Sequence, residues 1–263
     1  MHGAAGVTRV IKVGGRPQLD RALPKALAAA YAISPASLVV VHGGGDEVGT
    51  LQRLYGVEAR FHAGRRITSS LDLEIIRMAL SGSANKRLVS ALNDCGVAAI
   101  GVSGEDAGLL CATPMDLDHY GFVGQPVSVN VAVLRHLLAG GLLPVVSPVS
   151  RHDAAADGEP ATLNVNGDDA AAAIAAALKA EELLLVSDVA GVLVDGMAVE
   201  ELDAATAQQL IADGTASGGM GAKLQAALSA LAGGVERVRI SDIAAIESFD
   251  RGTVLTREES VCA

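Results

Sequence analysis

The sequence predicts an α/β fold: a three-layer sandwich with a central, mainly parallel sheet covered by helices on both faces. Two observations predict it. Short Val, Leu and Ile runs alternate with Ala- and Leu-rich stretches of helical length. Several of those runs are continuously apolar, as strands buried on both faces are.

Strands are expected at 8–13, 37–42, 98–102, 142–146, 183–187 and 238–240. Helices are expected near 24–32, 71–80, 84–94, 131–139, 168–178, 204–212 and 219–232, with a further one after the glycines at 43–45. Pro24 suits a first helical turn, where a missing N–H costs little. Pro144 either argues against the strand at 142–146 or marks its start. Asn130 is placed to cap the helix that Gly140 and Gly141 end. Met220, Leu224, Ala227, Leu228 and Leu231 share one face of the last helix, closed by Gly233 and Gly234. Two stretches richer in Gly, Pro and polar residues, 58–68 and 109–129, read as hairpins over the C-terminal edge of the sheet, and 151–159 reads as a loop. The organisation expected is two lobes on one continuous sheet, residues 1–150 and 151–263.

Composition narrows the function. The 263 residues are half hydrophobic, with 20 Lys plus Arg against 30 Asp plus Glu, a net charge of −10. That balance disfavours nucleic acid as a partner, as does an inventory of three Phe, three Tyr and no Trp, too few for a base-stacking platform. The longest uncharged apolar stretch, 137–150, is broken by glycines and prolines, so no membrane span is expected. Cys95, Cys111 and Cys262 are too scattered for a disulfide framework or a zinc site. The six histidines lack ligand spacing, so no protein-held metal is expected. A cytoplasmic location follows as the default.

The chemistry-bearing residues point to anions. Gly14-Gly15 and Gly43-Gly44-Gly45 follow the first two strands, and glycine lets an anion approach backbone N–H groups closely. Neither turn fits the Walker A or dinucleotide pattern. Lys12 shares a face with Val10 on a strand that reads as buried, where an ammonium must be paired or used. Asn164 and Asn166 point to one face of an extended segment, and Asp168 and Asp169 then open a helix whose dipole they complement. Lys223 stands near a helix N-terminus, where only a bound anion compensates its charge. Arg65 and Arg66 offer guanidinium forks for a carboxylate. Each feature also has a plain structural explanation: a turn, a cap or a surface charge.

Their order does not. VIKVGG (10–15), VVVHGGG (39–45), GRRIT (64–68), ANK (84–86), LPVVSPV (143–149), LNVNGDDAA (163–171), SDVAGVL (187–193) and GGMGAK (218–223) together resemble the amino-acid kinase family over nearly the whole chain. The resemblance implies that family's fold, with MgATP as phosphoryl donor, and the branch that phosphorylates the side-chain carboxylate of N-acetyl-L-glutamate in arginine biosynthesis. The alternative is a kinase for N-acetyl- or carrier-linked L-2-aminoadipate in lysine biosynthesis. It also implies roles. Lys12 and Lys223 stabilise the transferring phosphoryl group, and Asp168 holds both lysines. Gly44, Gly45, Arg66 and Asn164 bind the acceptor. Gly14 and Gly15, with Asp188, Val189, Ala190, Gly191, Val192 and Leu193, and with Thr215, Ala216 and Ser217, bind the nucleotide. Mg²⁺ is held by phosphates and water. With only 11 residues before Lys12, the expected assembly is a homodimer rather than an interlocked hexamer.

Overall fold

The computed structural model describes residues 9–62, 65–194 and 196–256. Thr8 of the first expected strand, Gly64 of the GRRIT segment and Cys262 lie outside them. The chain runs β1 (Arg9–Val13), α1 (Leu23–Ile33), β2 (Leu38–His42), α2 (Gly45–Leu54), β3 (Phe61–His62), β4 (Arg65–Arg66), α3 (Ser70–Arg77), α4 (Asn85–Asp94), β5 (Ala99–Gly104), β6 (Leu110–Pro114), α5 (Leu117–Tyr120), β7 (Val123–Val129), α6 (Val131–Ala139), β8 (Leu143–His152) and β9 (Thr162–Val165). It continues through α7 (Gly167–Leu178), β10 (Glu182–Val186), β11 (Leu193–Val194), β12 (Met197–Ala198), β13 (Glu201–Leu202), α8 (Ala204–Ala212), α9 (Gly218–Ala232), β14 (Arg237–Ser241) and β15 (Thr253–Thr256).

Among the described residues, eleven strands form one sheet, in the order β13-β15-β14-β10-β1-β2-β8, with β5 on the other side of β8. Its centre, β14-β10-β1-β2-β8-β5, is parallel throughout. Side-chain alternation divides these strands between two cores. Val10, Val39, Val41, Leu183 and Leu185 face α6, α7 and α9. Ile11, Val13, Val40, Leu184 and Val186 face α1 and α4. This is why the strand runs are apolar without alternation. It also puts Lys12, on the Val10 face, beneath α7.

The long strand β8 has two roles. Its first half pairs with β2 and β5. Its second half, beyond a register shift opposite Gly104, pairs with β6 and β9. Since β6 pairs with β7 and β7 with β9, those four strands close a ring above the parallel sheet. The expected 109–129 hairpin is β6 and β7, and the expected 58–68 hairpin is β3 and β4. The predicted loop begins two residues late, because Arg151 and His152 still belong to β8. The sheet therefore crosses the 150/151 division, and β9 sits with the strands that precede it in sequence.

Two local expectations change. Residues 81–83, Ser-Gly-Ser, do not separate two helices. Met78–Ala84 forms a π-helical segment that joins α3 to α4, with the Asn85 N–H donating five residues back to Leu80 O. Asn130 precedes α6 without capping it by its side chain, which instead donates to Ala107 O at 3.1 Å. No helix among the described residues is long and apolar enough to cross a membrane.

Candidate active site

The site lies at the C-terminal ends of β1, β2 and β9, where the N-termini of α2 and α7 meet. Asn166 caps α7, its Oδ1 accepting the Asp168 N–H at 2.8 Å. One of the two amides on that face is thus accounted for by the helix start. The cap holds Asp168 at the first turn, over β1. Its carboxylate takes the Lys12 ammonium on Oδ1 at 2.7 Å and the Lys223 ammonium, from α9, on Oδ2 at 3.4 Å. Lys12 is 6% exposed and Asp168 3%. The Lys12 contact is a buried ion pair at hydrogen-bond distance. Burial pulls Lys12 below the ordinary lysine range and the like charge of Lys223 adds to that, while Asp168 opposes both. Burial pushes Asp168 up, but its two lysines outweigh this and keep it an anion, below the usual carboxylate value.

The two glycine turns touch. A Cβ on Gly15 would stand 3.1 Å from the Gly45 nitrogen, and one on Gly44, at φ +156°, would stand 2.7 Å from Leu80. The backbone angle at Gly44 favours glycine, and a side chain on Gly15 would crowd the approach of the two turns. Beneath the second turn, the His42 ring is fully buried. Its Nδ1 lies 2.9 Å from Gly43 O, and its Nε2 lies 3.0 Å from the Asn85 amide. The ring therefore donates from Nδ1 and accepts at Nε2 from Asn85. Burial holds its pKa at about 4.

A cavity of about 230 Å³ opens from these turns. Lys12, Gly15, Gly44, Gly45, Asn164 and Asp168 form its polar wall, and Val48, Ile76, Leu80, Val123 and Pro148 its apolar one. Arg66 reaches it from the hairpin. Its guanidinium stacks on Phe61 at 4.7 Å, donates to Gly45 O at 3.2 Å and donates to Gln52 Oε1. Burial lowers the Arg66 pKa, while Asp72 and Asp46 oppose that. Gln52 in turn donates to Asp72 at 2.5 Å, and Asp72 closes a capping box with Ser69 at the start of α3. Asp72–Gln52–Arg66 is thus a relay that aims the guanidinium. Asn164 donates to Thr68 at 3.0 Å.

Of the residues expected to take the nucleotide, Gly15 lines this cavity and the others lie outside it. Gly14 turns the chain beside it, its N–H bonded to Val186 O at 3.1 Å. Asp188 pairs with Arg16 at 2.9 Å on the surface and lines a second cavity of about 630 Å³. Val189–Leu193 continue the turn after β10, tied down by Ser241 on Ala190 O and by Thr253 on the Val192 N–H. Thr215–Ser217 lead directly into α9, and a Cβ on Gly221 would meet Ala216 O at 2.8 Å. Sequence reasoning assigned no role to Gln52, His42 and Asn85. Asn85 lies in the ANK segment, and Gln52 gives itself away only as an amide on the buried face of α2, four residues after Val48.

Fold and site bring a glycine- and arginine-lined cavity and a pair of lysines together at one end of the sheet. The chain belongs to the amino acid kinase family, which it matches over residues 7–242. It is 44% identical over 255 residues to an acetylglutamate kinase of Chloroflexus aurantiacus, covering 95% of this chain and 97% of that one. It is 43% identical over 242 residues to one of Cereibacter sphaeroides, covering 90% and 81%. Among solved structures, a Streptococcus mutans protein aligns with a TM-score of 0.84 at 28% identity, covering 95% of this chain and 98% of that one.

Proposed function

We propose that this protein transfers the γ-phosphoryl group of ATP to the side-chain carboxylate of N-acetyl-L-glutamate, in arginine biosynthesis. The observation that carries the reading is the Lys12–Asp168–Lys223 cluster at the end of the cavity that Arg66 enters. The acceptor lies in that cavity, its α-carboxylate on Arg66 and its side-chain carboxylate toward Lys12. The nucleotide lies over the other lobe, along the β10 turn and the start of α9.

The acceptor carboxylate is ionised at neutral pH, so no general base is needed. One of its oxygens attacks the γ-phosphorus, the bond to the β–γ bridging oxygen breaks, and ADP and an acyl phosphate result. The difficulty is bringing two anions together and holding the charge as it shifts. Lys12 and Lys223 supply positive charge from two elements, and Asp168 fixes both. The Gly15 and Gly45 backbone provides a close N–H cradle, in which no Cβ stands between protein and phosphate. The buried ammoniums and that cradle fit a polyphosphate. Mg²⁺, carried in on the phosphates and their water, supplies further charge neutralisation when bound. We place the enzyme in the cytoplasm as a homodimer, which sedimentation would check by giving twice the chain mass.

A coupled assay with MgATP tests the activity, with hydroxylamine trapping the acyl phosphate. N-acetyl-L-glutamate should outperform N-acetyl-L-2-aminoadipate and free glutamate. Preference for aminoadipate would keep the mechanism and replace the substrate, and silence with all three would overturn the reading.

A further inference from the structure

The hairpin that brings Arg66 to the cavity is too small to hold itself. Its strands β3 and β4 have two residues each, and among the described residues they pair only with each other. A two-stranded hairpin of that size is not stable alone in water. Adjacent residues of a strand point to opposite sides, so Arg65 and Arg66 leave β4 in different directions. Arg66 goes to α2, through Gln52 and Gly45. Arg65 goes to the first turn of α7, where Nη1 meets Asp169 Oδ2 at 2.5 Å.

That contact differs from the surface ion pairs of the molecule. Both side chains are more than four-fifths covered, at 16% and 17% exposure. Arg65 is a wall between two spaces: the site cavity on one side and, with Asp169, a cavity of about 340 Å³ on the other. Asp169 is also next in sequence to Asp168. The helix dipole accounts for an acid in this turn, but not for its burial against a guanidinium from a hairpin 104 residues away.

We propose that the Arg65–Asp169 pair is a strap that fixes the hairpin against α7 and so sets where Arg66 stands over the acceptor. The inference rests on the proposed reaction. Arg65 and Asp169 are positioning residues. Their loss acts on acceptor binding through Arg66, while the phosphoryl end, held by Lys12 and Lys223, is disturbed less.

The test uses Arg65→Met, Asp169→Asn, both together, and the exchanged pair Arg65→Asp with Asp169→Arg. Each single variant should raise KM for N-acetyl-L-glutamate about tenfold, with a smaller fall in kcat and little change in KM for ATP. The double variant should be no worse than either single one, and the exchanged pair should recover most of the loss. Hydrogen exchange provides a reading independent of turnover. The Ile67 N–H, which donates across the hairpin to Arg60 O at 2.9 Å, should exchange about tenfold faster in both single variants and slow again in the exchanged pair. If Asp169→Asn instead lowers the acceptor KM, Arg65 is a substrate ligand that Asp169 restrains, and the strap is overturned. Unchanged Ile67 exchange overturns it too, and does so even if the wild-type enzyme refuses N-acetyl-L-glutamate, which would count against the proposed reaction alone.

Discussion

One carboxylate, that of Asp168, holds two ammoniums that arrive from opposite halves of the chain, and the proposed reaction places the transferring phosphoryl group at them. Lys12→Ala and Lys223→Ala should each lower kcat by roughly 10²–10³-fold, as losing one oxyanion donor does. The check is the coupled assay at saturating substrates. Lys12 must stay protonated to act, and its pKa lies below the ordinary lysine value. The alkaline limb of kcat should therefore fall at a lower pH than a free lysine would impose, and a limb at the free-lysine value would contradict the burial argument. Lys12 and Asp168 were legible as residues because a charge on an apolar strand and an acid pair at a helix start are local anomalies. Gln52 and Asn85 were not. Their amides matter through partners 14 to 60 residues away, and no local pattern records that.

At the scale of elements, helix starts and strand ends do most of the positioning. Asn166→Ala should lower stability by about 1 kcal/mol through loss of the α7 cap, read as a fall in the denaturation midpoint. It should also slow turnover, because the same turn carries Asp168. The β2 end adds a pH dependence. The His42 ring titrates near 6.5 when unfolded and at about 4 when folded. Its stabilisation is thus complete above pH 6.5 and is lost as pH falls through 4, a loss of about 3 kcal/mol in all. Urea denaturation at pH 7 and pH 4.5 should show most of that difference, and a His42→Gln variant should show much less of it. Element boundaries were readable where a closing glycine follows an apolar periodicity, as at α6. They were misread at 81–83, since Ser-Gly-Ser lowers helix propensity without ending a helix whose two flanks are buried.

The whole molecule has a second ionic centre, at the opposite ends of the strands from the site. Glu182, the first residue of β10, receives Arg9 and Arg239 at 2.6 Å each and Arg237 at 3.1 Å. Arg9 and Arg239 also donate to carbonyls of the 245–251 segment. Three strands and a loop are therefore tied at one carboxylate. Glu182→Gln strands buried guanidinium charge and should cost about 3–5 kcal/mol in denaturant unfolding, with a much smaller effect on KM. Sequence reasoning assigned this centre no role: Arg9, Glu182 and Arg237 open their strands, and Arg239, in the middle of β14, alternates with Val238 and Ile240 as a residue on the solvent face of a strand would. The parallel order of the central sheet, by contrast, was legible from the alternation of runs and helices, while the ring of β6, β7, β8 and β9 needed long-range pairings that periodicity cannot supply. The π-helical segment at 78–84 carries one more consequence, a matter of phase. An α-helix advances about 100° per residue. A π-helical stretch accommodates one residue more than an α-helix of the same number of turns. Deleting a single residue there would therefore let the segment relax to an α-helix with α4 nearly unrotated relative to α3. A deletion inside α3 would instead rotate Asn85 away from His42 by about 100°. The wide turn thus absorbs one residue without changing the rotational register of the two helices, and this stretch of chain should accept a one-residue deletion far more readily than the helices on either side of it.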